Sequence, residues 1–76
     1  MSRPSKKAFN AIRDKAIQCC PDIKAARAAW LKVCDDHPGT AGATMTRARL
    51  AMLTALAAGD SIAEAERAAR KVVLAS

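Results

Sequence analysis

The sequence predicts an all-α protein, a small compact bundle of about four short helices in a single domain spanning residues 1–76. Three observations predict it. Apolar residues recur at steps of three and four along most of the chain. Nineteen of the 76 residues are Ala, the strongest helix former. Helix breakers are confined to Pro4, Pro21, the stretch from His37 to Gly42, and Gly59.

Residues 1–5 read as a flexible basic arm, and Ser5 caps a first helix running to about Cys20. Its apolar stripe is Phe9, Ile12, Ala16 and Cys19/Cys20. Pro21 lacks an N–H and is at home in a first turn, so Pro21-Asp22 opens a second helix to about Asp36. The stripe there is Ile23, Ala26, Trp30, Val33 and Cys34. The steps of three and four run through Pro21 without losing phase, so one long helix kinked at Pro21 fits as well; the proline favours two. Segments 9–22 and 23–36 also align at a shift of fourteen, matching Arg13 with Arg27 and Cys20 with Cys34. Fourteen is two heptads, and a shared stripe produces much of that match.

A central loop is expected over residues 37–43. A third helix follows from about Thr44 to Ala58, with Met45, Ala48, Met52, Leu53 and Leu56 inward. Gly59 stands where a helix-ending glycine belongs. Ser61-Ile62-Ala63-Glu64 is a capping-box pattern, and the fourth helix runs to about Leu74. Its inward residues are Ile62, Ala65, Ala69, Val72 and Val73, and Glu66 with Arg70 forms a favourable pair one turn apart. Short connections lead us to expect neighbouring helices to pack antiparallel.

The core material is thin: one Phe, one Trp and no Tyr. A chain of this size buries only about 60% of its unfolded surface. A second copy or a larger partner would supply the missing burial, and a homodimer is one expected state.

Charge is distributed unevenly. Residues 1–32 carry eight basic and two acidic side chains, the whole of the net +6, while residues 33–76 carry five of each. The basic set is Arg3, Lys6, Lys7, Arg13, Lys15, Lys24, Arg27 and Lys32. It suits an anionic partner, either an acidic protein surface or nucleic acid, although a small domain also carries such charge for solubility alone. There is no apolar run of 18 residues, so no membrane partner is expected. No apolar segment follows the basic N-terminus, and three cysteines make a poor disulfide framework, which points to a reducing cytoplasm.

Candidate chemistry is sparse. Cys19, Cys20, Cys34 and His37 are the only set resembling zinc ligands. They lack paired C-x-x-C spacing, and adjacent cysteines on a helix point about 100° apart, so neither metal nor cofactor is expected. One histidine and no nucleophile beside a base argue against an enzyme. Arg13, Arg27 and Arg49 each lie about 40° from the start of their helix's stripe, as does Glu66. Such arginines either lay their stems along the core, with Glu66 paired to one of them, or ring a groove for an acidic partner. Leu50 and Leu74 fall off their stripes; with Trp30 they are the expected apolar contacts for a partner or second copy.

The stretch from Leu56 to Arg70 resembles the opening of helix-turn-helix domains. No recognition helix follows before Ser76, so no base-contacting role is assigned. In size, composition and lack of catalytic groups, the chain resembles short phage-encoded host-takeover proteins, including anti-CRISPR inhibitors. The expected function is a small non-enzymatic regulator that binds a macromolecular partner, a protein first, through its basic helical face. Non-specific nucleic-acid binding and a structural homodimer are the alternatives.

Overall fold

The computed structural model describes residues 5–75. Four helices follow in order: α1 (Lys6–Cys19), α2 (Ile23–Asp36), α3 (Gly42–Ala57) and α4 (Ile62–Leu74). The basic arm, Arg3 included, lies outside the described residues except for Ser5.

The local signals act where the sequence places them. Ser5 Oγ accepts the Ala8 N–H at 3.1 Å and caps α1. Asp22 Oδ1 accepts the Ala25 N–H at 3.0 Å and caps α2. Pro21 therefore separates two helices. Cys20 is extended (φ −88°, ψ 119°), the conformation a following proline favours. α3 ends in a Schellman turn: Gly59 has φ +91°. The Gly59 N–H donates to the Leu56 carbonyl and the Asp60 N–H to the Ala55 carbonyl, both at 3.0 Å. α4 opens with both halves of the capping box, Ser61 and Glu64.

α3 starts at Gly42 and takes in Ala43, so the central loop is shorter than the expected 37–43. No side chain caps this end, but Ala41 offers its carbonyl to the Met45 N–H at 3.0 Å, and no proline stops the helix from extending back.

Packing runs α1 on α3, α3 on α4 and α4 on α2. Of the successive helices, α3 and α4 pack closely, whereas α1 and α2 do not. The extended Cys20-Pro21-Asp22 link carries α2 away from α1 and sets it against α4. Arg70 secures that contact, reaching Asp36 at 2.9 Å and Glu66 at 3.4 Å. Asp36 is thus docked on α4 rather than left at a frayed helix end.

The core is made mostly of small side chains. Its ten buried apolar residues are Ala16, Cys20, Ala26, Val33, Ala48, Met52, Leu56, Ala65, Ala69 and Val73. Half of them are alanines, so the helices approach closely while burying little area per residue. Val33 is the largest side chain that is fully enclosed. Four large aliphatic residues remain substantially exposed: Ile17 (45%), Ile23 (48%), Leu31 (52%) and Leu74 (72%).

Candidate functional site

Because α1 and α2 pack on different partners, a cleft of about 500 Å³ opens between them, floored by α3. From α1 it takes Arg13, Ala16 and Ile17, with Cys20 where the chain turns. From α2 it takes Ile23, Ala26, Arg27, Trp30 and Leu31. Arg49, Met52, Leu53 and Leu56 of α3 complete it. Three of the four exposed aliphatic side chains stand in this one cleft, and Leu74 alone stands elsewhere.

The three sequence-singled arginines converge here. Arg13 and Arg27 come from the basic half, and Arg49 comes from the balanced half. Glu66 neutralises none of them, because it is held by Arg70. Arg13 approaches only its neighbour Asp14, at 3.7 Å with both groups exposed, a contact of little energetic weight. Arg49 lies over the Phe9 ring at 5.8 Å, a cation–π contact that fixes it on the α1 side while its charge stays uncompensated. Arg27 has no ion pair among the described residues. No acidic side chain lines the cleft among the described residues.

The fourteen-residue shift takes on a spatial meaning. It relates Arg13 to Arg27 and also Ile17 to Leu31. Each pair puts one residue on α1 and one on α2, both in the cleft. Within each helix the arginine and the aliphatic residue are four apart and share a face.

The other expected contacts are not gathered at this site. Lys6, Lys7, Lys15, Lys24 and Lys32 are exposed, and none of them lines the cleft. Trp30 is half-buried: it packs on the core and faces the cleft. Leu50 lines a separate, more open hollow with Arg47, Asp60 and Val72 between α3 and α4. Leu74 is exposed near the end of α4. Trp30 and Leu50 therefore line different hollows, and Leu74 lines neither of them. Ile23 was expected inward and is half exposed where it lines the cleft. Ile17 was missed; the signal available for it was its match to Leu31 at the shift of fourteen.

The cysteines do not form a cluster. Cys19 is exposed, and Cys20 is buried with its Sγ donating to the Asp22 carbonyl at 3.5 Å. No group of three His, Cys, Asp or Glu side chains suited to a metal exists among the described residues. No helix among them is long and apolar enough to cross a membrane.

The chain matches no family model, no curated protein and no solved structure.

Proposed function

We propose that this chain is a small non-enzymatic regulator that acts by binding a macromolecular partner, a protein, through the cleft face of α1 and α2. The observation that carries this reading is the coincidence in one cleft of Ile17, Ile23 and Leu31 with Arg13, Arg27 and Arg49. Apolar side chains left half in water gain free energy when a partner covers them, at about 25 cal/mol per Å². Arg27 and Arg49, with no ion pair among the described residues, and Arg13, with a weak exposed contact to Asp14, select what covers them, because a cationic or neutral partner leaves their charge uncompensated. A module of this kind inhibits by occupancy alone, which suits a host-takeover protein of the anti-CRISPR type. The exposed lysines of α1 and α2 add long-range attraction for an anionic surface.

Site-specific photo-crosslinking tests the reading. A benzoylphenylalanine replacing Leu31, in the cleft, is compared in the producing cell with one replacing Ala63, exposed on α4. A protein adduct formed from position 31 and absent from position 63 is the expected result. Adducts to nucleic acid alone, or none from position 31, would overturn it. A salt titration against a random 20-base-pair duplex separates the alternatives: affinity that falls steeply with salt would favour direct phosphate binding.

A further inference from the structure

We infer that the cleft receives a single amphipathic α-helix of a partner, about two turns of it, with acidic residues flanking its apolar stripe. The inference rests on the protein-binding reading above and specifies the occupant.

Length comes first. The cleft runs from Arg13 to Cys20 along α1 and from Ile23 to Leu31 along α2. At 1.5 Å per residue this is about 10–12 Å, two turns of a helix.

Backbone chemistry comes next. Every lining residue except Cys20 lies within a helix, so the walls present side chains and no free backbone edge. An extended segment laid there would leave its own N–H and C=O groups facing Ile17, Ile23 and Leu31 without partners. Each such group, stripped of water and unpaired, opposes binding. A helix satisfies its own backbone and presents only side chains, so it alone fills such a cleft without that cost.

Charge completes the choice. Arg13, Arg27 and Arg49 surround the apolar surface, and no acidic group answers them from within the lining. Asp or Glu beside the occupant's apolar stripe would supply the missing charges. A second copy of this chain is disfavoured, because it carries a further +6. Nucleic acid offers phosphates to the arginines but no apolar stripe to cover the three aliphatic residues.

The test uses fluorescence anisotropy with labelled, hydrocarbon-stapled peptides of about fourteen residues, stapled because free helices of that length are marginal in water. The first carries Leu at helical steps of three and four, flanked by Glu. The second has Lys for every Glu. The third has the composition of the first, scrambled so that no apolar face forms. The first should bind and change Trp30 fluorescence; the other two should bind at least roughly tenfold more weakly. Ile17→Gln with Leu31→Gln, both at exposed positions, should weaken the first by a similar factor with helical circular dichroism unchanged. Equal binding of the scrambled acidic peptide, or full affinity in the double variant, would reduce the contact to charge alone and overturn the inference. No peptide binding alongside a protein adduct from position 31 would overturn the helical occupant and leave protein binding standing. No peptide binding and no adduct would end both.

Discussion

The two halves of this molecule are built differently. The α3–α4 half closes on itself: a Schellman turn at Gly59, a capping box at Ser61 and Glu64, and Ala48, Met52, Leu56, Ala65, Ala69 and Val73 buried in the core. α1 and α2 are joined through an extended proline link, do not pack closely on each other, and keep Ile17, Ile23 and Leu31 half in water. Even the helix ends differ. α4 has Glu64 in its first turn and Lys71 in its last, in accord with its dipole. α1 begins with Lys6 and Lys7 and has no basic residue in its last turn, against its dipole. One half is locally consistent, and the other keeps apolar surface and charge unmatched. Unmatched groups gathered in one place are what a partner can match.

Substitutions break this comparison in a graded way. The largest effect belongs to Leu56→Ala. That residue is 5% exposed, and loss of its side chain should cost about 2–5 kcal/mol, read as a fall in the urea midpoint. Gly59→Ala comes next, because φ +91° forces a Cβ into left-handed backbone; about 1–2 kcal/mol should be lost.

Ser61→Ala should cost about 1 kcal/mol by removing the cap of α4. A pH dependence accompanies that cap. The Ser61 hydroxyl, then the Ser61 backbone N–H, hold the Glu64 carboxyl below its ordinary pKa, and Arg67 adds to this. A carboxylate lowered in the folded state stabilises above its unfolded pKa, and that stability goes as pH falls below about 4.3. The protection factors of the first-turn amides of α4, measured against the intrinsic exchange rate at each pH, should therefore fall on acidification in the wild type. The fall should be smaller in Glu64→Gln; an identical acid response in the two would refute the assignment.

The smallest effect sharpens the comparison from the other side. Lys7→Glu places a carboxylate at the N-terminal end of α1, where the dipole favours it, and should add about 0.3–1 kcal/mol at low salt. A loss of stability would mean that Lys7 already serves the fold.

Much of the fold was legible in the sequence, because its signals are local. Ser5, Asp22, Gly59 and Ser61 each end or begin a helix through groups within a few residues, and the pattern of threes and fours identified most of the buried positions. What was not legible was which helix covers which. Periodicity marks an apolar face and says nothing of its neighbour, so Ile23 was expected inside and is half exposed. The Arg70–Asp36 pair joins residues far apart in sequence and left no local trace. The cleft was legible in part. The common offset of Arg13, Arg27 and Arg49 on their helices was readable, and whether they stood alone turned on where Glu66 would go. Ile17, which lies on no core stripe, became meaningful only when α1 and α2 were seen to flank one space. The charge asymmetry lies in the half that supplies Arg13 and Arg27 to the cleft, while its lysines stand outside the cleft and α3 supplies the third arginine.

If the cleft's aliphatic residues serve a partner and not the fold, replacing them leaves the stability of the chain unchanged. The most direct measurement is the urea unfolding midpoint of the Ile17→Gln, Leu31→Gln double variant against the wild type, at several protein concentrations. The expected result is a change within about 0.5 kcal/mol per site, independent of concentration, as for surface positions. A loss of about 2 kcal/mol or more would contradict that role. It would mean that these side chains are core to the chain itself or, if concentration-dependent, to a dimer of it.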